Sequence, residues 1–123
     1  MIPTRLSEQA LDPLGFTEAG RVQSHRVLRW FGLSVNELEC MLDLTREHNG
    51  NPATADQFVV KLAFLANTVT SCFQSEAKSA AWFRAVNPLL GGLSPIEMIA
   101  HGRINRLERW IEGALQSFNE YPM

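Results

Sequence analysis

The chain has 123 residues, 46% of them hydrophobic and 20% charged, with a formal net charge of -2. That length and balance describe one ordinary globular domain able to bury a core without disulfides or a metal, and they exclude a disordered, fibrous or low-complexity chain. A slightly acidic chain is also a poor general binder of polyanions, since attraction to phosphate backbones needs a basic surface.

No N-terminal stretch combines a positive start, an apolar run and a small-residue cleavage site, and no apolar stretch reaches the roughly 20 residues of a membrane span. A cytoplasmic location with no membrane partner is expected. Cys40 and Cys72 lie far apart, each inside an apolar helical pattern and without a CxxC or a histidine cluster, so both are expected as buried thiols.

Residues 1–15 carry Pro3, Pro13 and Gly15 and no sustained period, which reads as a loosely ordered arm. Residues 16–74 form an N-terminal helical part. Thr17 is a candidate cap, Glu18 suits the positive end of a helix, and Val22, Leu28 and Phe31 give an apolar face that stops at Gly32. Ser34 and Glu37 make a capping box for a short second helix bearing Leu38, Met41 and Leu42 and ending near Leu44. The run at 45–52, TREHNGNP, reads as a surface loop. Thr54, with Gln57 as box partner, restarts a helix whose stripe is Phe58, Leu62, Leu65, Ala66, Val69 and Phe73. Val59, Val60 and Phe64 add apolar area around that helix, as expected of a central one.

Residues 75–123 form the second part. Ser75 caps a helix to about Ala85 that carries Ala80, Ala81, Trp82 and Phe83. The block 87–102, NPLLGGLSPIEMIAHG, is the richest in local signals. Pro88 biases Asn87 away from the α region, Gly91 and Gly92 permit positive φ, and Ser94 caps a short helix whose first residue is Pro95 and whose box partner is Glu97. Beyond Gly102, Ile104, Leu107, Ile111, Ala114, Leu115 and Phe118 continue the helical period. With no strand-period run, the expected fold is all-α, a small bundle of about six helices.

Few residues invite chemistry. His25, His48 and His101 are isolated, and Glu47-His48 lacks a second histidine four residues on, so no metal site is expected. Glu37, Glu39 and Asp43 read as a solvated helix face, not an acid/base pair. Gly91-Gly92 has neither the preceding strand nor the Lys-Ser/Thr of a phosphate cradle. The expectation is a non-enzyme without a cofactor. Arg103, Arg106 and Arg109 recur every three residues, interleaved with Glu108 and Glu112. They form either a solvated face with Arg109–Glu112 pairing or a partner-docking surface bordered by Trp110.

The order and spacing of Trp82, Asn87-Pro88, Leu90-Gly91-Gly92, Ser94-Pro95-Ile96-Glu97, Ile99, Gly102 and Arg106-Leu107 resemble the toxin-binding domain of the Xre/MbcA/ParS antitoxin family. The resemblance runs over residues 75–118. It implies an antitoxin of a type II toxin-antitoxin system, which neutralises a cognate protein toxin by direct binding. The toxin in that family is commonly a RES-domain enzyme that depletes NAD. On this likeness Trp82, Asn87, Pro88, Gly91, Gly92, Ser94, Pro95, Glu97 and Gly102 shape the domain. Met98, His101, Arg103, Arg106 and Trp110 contact the toxin, together with a tail of Phe118, Tyr121, Pro122 and Met123. The tail is apolar enough to order on a partner, and equally reads as a frayed terminus. Ser117 stands where the family often has a glycine.

The N-terminal half of such antitoxins is usually a helix-turn-helix on the operon's own operator. The start at Gly32-Leu33-Ser34 with Glu37-Leu38 resembles its first elements, but TREHNGNP occupies the place of the recognition helix, so a degenerate version is expected. The alternative function is a DNA-binding autorepressor with Arg21, Arg26, Arg29 and Lys61 on phosphates. A homodimer is implied by the family, and Trp30 and Phe31 offer apolar surface that serves either a dimer or the core.

Overall fold

The computed structural model of the chain describes residues 12–49 and 54–119, and for residues 48, 49 and 117–119 the backbone alone. The elements run β1 (Thr17–Glu18), β2 (Arg21–Val22), α1 (Ser24–Phe31), α2 (Val35–Asn49), α3 (Ala55–Phe73), α4 (Glu76–Arg84), a 3-10 helix (Pro88–Leu90), α5 (Pro95–Ala100) and α6 (Ile104–Asn119). The fold is an all-α small bundle with one minimal β-ribbon. No described helix is long and apolar enough to cross a membrane.

The first departure from expectation is at residues 17–23, which are not helical. Thr17 pairs with Val22 and Glu18 with Arg21 in an antiparallel ribbon, and Ala19 and Gly20 turn between them with φ of 54° and 78°. Two consecutive positive φ values match the twist of a tight hairpin, and an alanine in the first position hides the signal that Asn-Gly would have given. Helix α1 therefore starts only at Ser24, although it stops at Gly32 as expected.

The segment just before the ribbon is held, not loose. Asp12 accepts hydrogen bonds from the Phe16 and Thr17 amides at 2.9 and 3.1 Å. Asn67, buried on α3, donates from Nδ2 to Asp12 at 3.2 Å and accepts from the Leu14 amide at 3.1 Å. The rest of the expected arm, residues 1–11, lies outside the described residues.

Helix α2 also outruns its expected end near Leu44 and continues to Asn49. Thr45 is buried, and its hydroxyl donates to the Met41 carbonyl at 2.8 Å, which keeps this polar residue inside the helix. Residues 45–49 of the expected loop are thus helical, and residues 50–53 lie outside the described residues.

One hydrophobic core joins both parts of the chain, from Phe16 to Ile111. Helix α3 runs through it with Leu62, Leu65 and Ala66 fully enclosed, while Val60 and Phe64 remain 50% and 40% exposed. Trp30 and Phe31 do not form spare surface. Phe31 is 2% exposed, and its ring meets those of Trp30 and Phe83 edge to face at 5.0 and 5.2 Å. Cys40 and Cys72 correct the expectation in the other direction, because both thiols are exposed.

The tightest approach joins α2 to the turn between α5 and α6. A Cβ built on Gly102 would lie 2.6 Å from the Leu44 carbonyl carbon and 2.7 Å from its oxygen, and Gly102 has φ +81°. Both backbone conformation and contact exclude a side chain here. Gly102→Ala should lower stability by about 2–4 kcal/mol, the sum of left-handed strain and overpacking, whereas Gly91→Ala, which meets open space, should cost about 1–2 kcal/mol. Thermal melts of the two variants check this order. Ser79 on α4 is fully buried, and its hydroxyl has no hydrogen-bond partner among the described residues. Ser79→Ala should therefore raise stability by about 1 kcal/mol in a denaturant titration.

Candidate functional site

The block 87–102 folds as its residue types dictate. The Asn87 side chain accepts from the Leu89 amide at 2.9 Å, which starts the 3-10 helix at Pro88, and Gly91 and Gly92 follow with φ of 75° and 84°. The Asn87 amide then donates to the Leu93 carbonyl at 3.0 Å, closing the loop on itself. Ser94 accepts from the Glu97 amide at 3.1 Å while the Glu97 carboxylate accepts from the Ser94 amide at 2.8 Å, so the capping box of α5 is complete. Pro95, Ile99 and Gly102 are buried, and Trp82 stacks on Trp110 of α6 at 6.1 Å with 27° between the rings.

These elements enclose a groove of about 490 Å³, within the range of small-molecule and peptide pockets. Leu89, Leu90, Gly91 and Leu93 come from the loop, Met98 from α5, His101 and Arg103 from the turn between α5 and α6, and Arg106 and Trp110 from α6. The last three lie at i, i+3 and i+7, the spacing that lines up one side of a helix. Five residues singled out in the sequence, Met98, His101, Arg103, Arg106 and Trp110, therefore share one surface. Leu89 and Leu93 were not singled out, and Leu90 only within the Leu90-Gly91-Gly92 motif, although their place beside the two glycines was the available signal. Phe118 has no described side chain, and Tyr121, Pro122 and Met123 lie outside the described residues.

No known protein family, curated protein or solved structure matches this chain. The groove's character is therefore read from its own chemistry. Arg103 and Arg106 have no ion-pair partner among the described residues, and neither does Arg109, so the expected Arg109–Glu112 pair is absent. Arg109 is exposed outside the groove. Among the described residues no carboxylate lines the groove: Glu108 on α6 is taken by Lys61 of α3 at 3.0 Å, and Glu97 is committed to its cap.

The residues considered for DNA contact are dispersed in role. Lys61 also donates to Asn105 at 2.7 Å, so its ammonium ties α3 to α6 instead of facing outward. Arg26 bonds Glu18 of the ribbon and donates to the Gly15 carbonyl at 3.1 Å. Arg21 and Arg29 are exposed on β2 and α1. Two of the four charges are thus engaged within the chain. Among the described residues no group of His, Cys, Asp and Glu has the arrangement of a metal site.

The hydrogen bonds from the Ser94 amide and hydroxyl, with the nearby His101, hold the Glu97 carboxyl below its ordinary range. A depressed folded value means that this contribution is fully present above the unfolded value of about 4.3 and is lost as pH falls through the folded one. Glu97→Gln should melt below the wild type at pH 6, with the gap narrowing toward pH 3, in thermal melts at both pH values.

Proposed function

We propose that the chain is an antitoxin that neutralises a cognate protein toxin by direct binding through the groove between the 87–93 loop and α6. The observation that carries this reading is the convergence of Met98, His101, Arg103, Arg106 and Trp110 on one open surface. These are the positions to which the resemblance to the Xre/MbcA/ParS antitoxins assigns toxin contact. The surface has the make-up of a protein-docking site. It offers aliphatic side chains together with a tryptophan and two arginines without an ion-pair partner among the described residues, the last two residue types being ones that dominate binding energy at interfaces. The resemblance further implies a RES-domain toxin, and inhibition that needs no chemistry from this chain.

Leu89 gives the reading a direct test, because it lines the groove yet is 75% exposed and contributes little to the core. Co-expression with the product of the neighbouring gene should restore growth of a host that this product arrests, and the two proteins should co-purify. Leu89→Asp should weaken the complex at least about tenfold while leaving the melting temperature of the free chain within a few degrees. Arrested growth with no co-purification, or full rescue by Leu89→Asp, would count against the assignment.

A further inference from the structure

Resting on the partner-binding reading above, we infer that the groove receives a peptide segment of its partner in which a bulky apolar side chain is flanked by carboxylates.

The charge distribution is the first argument. Asp and Glu outnumber Lys and Arg by 13 to 11 in the chain, yet among the described residues the groove is lined by Arg103, Arg106 and His101 and by no acidic residue. Three cations elsewhere are neutralised within the chain, Arg26 by Glu18, Arg46 by Asp43 and Lys61 by Glu108. Arg103 and Arg106 meet no anion among the described residues, so their fork-shaped donors are available for carboxylates, which guanidinium groups bind in pairs of parallel hydrogen bonds. Arg103 directly precedes α6 and Arg106 lies in its first turn, so the two guanidinium groups start about one helical turn apart, the spacing of two carboxylates one turn apart on a partner helix.

The second argument is the apolar floor. Leu89 stands 75% exposed and lines the groove together with Leu93, Met98 and Trp110. Covering a leucine that stands this far in water is favourable in proportion to the apolar area removed. The same floor disfavours a nucleic acid strand, whose bases need aromatic faces to stack on. Trp110 already presents a face to Trp82, and the other floor residues are aliphatic.

The test is a random-peptide display selection on the immobilised full chain, counter-selected on an Arg103→Glu/Arg106→Glu variant shown by thermal melt to be folded. Enriched sequences should carry two or more Asp or Glu residues around a Leu, Phe or Trp. A synthetic copy of one should lose at least about tenfold in affinity toward the double variant, toward Leu89→Asp, and when its own carboxylates are changed to amides. Its binding should also weaken at high salt. If the charge-reversed variant does not fold, Arg103→Gln/Arg106→Gln replaces it. Failure to enrich any sequence, enrichment of neutral or basic sequences, or indifference to the arginines overturns the inference. So does a mixed-sequence single-stranded DNA that displaces the peptide from the groove. Acidic peptides that bind while co-expression fails to rescue growth would refute the antitoxin reading and leave this one standing, and rescue with neutral peptides would do the reverse.

Discussion

The arrangement of this protein depends on a backbone-to-backbone contact at Gly102. The turn between α5 and α6 approaches the Leu44 carbonyl so closely that even a methyl group has no room, and it does so at a positive φ. His101 and Arg103, the residues on either side, are both groove residues. The seat of α2 against this turn therefore fixes where the cationic end of the groove lies. A helix from the first half of the chain thus sets the geometry of a site built from the second, and the single core from Phe16 to Ile111 makes the two halves one packed unit.

A seam of aromatic rings gives the groove wall its second support. Phe16, Trp30, Phe31 and Phe83 meet edge to face, Trp82 meets Phe83 in the same way at 5.2 Å, and Trp82 stacks on Trp110 at the groove. Each such pair adds about 0.5–1.5 kcal/mol beyond its buried area, and it also restricts how the rings can tilt. Polar contacts lock the same seam from outside, since the Trp30 indole donates to Glu76 at 3.0 Å and Arg84 donates to the Trp30 carbonyl at 3.0 Å. With Glu108 drawn to Lys61, the carboxylate on α6 nearest in sequence to the groove is spent on structure, while two groove arginines meet no anion among the described residues.

Much of the local structure was readable from residue types. The caps at Ser34, Thr54, Ser75 and Ser94, the stop at Gly32, the positive φ of Gly91 and Gly92 and the short helix from Pro95 follow from interactions reaching only a few residues along the chain, whereas the 3-10 helix at Pro88–Leu90 went unread. Where reading failed, a local signal was weak or contradicted by packing. Ala19 takes a conformation that alanine seldom adopts, so the ribbon at 17–22 passed for a helix start. Thr45 looked like loop, but burial and its bond to the Met41 carbonyl keep it helical. Asn67 gave no sign, within an apolar helix, that it would anchor Asp12 from 55 residues away.

The sequence by itself determined the helical class, the element order after residue 24 and the residues of the cationic wall, because periodicity and capping act within one or two turns. Only the tertiary structure decided which of those charges are free. Lys61 and Arg106 are indistinguishable as basic helix residues, yet one meets Asn105 and Glu108 across a helix interface, 44 residues away in the first case, while the other meets no anion among the described residues. Pairing over such separations depends on which faces the common core brings together, and no short-range pattern encodes that.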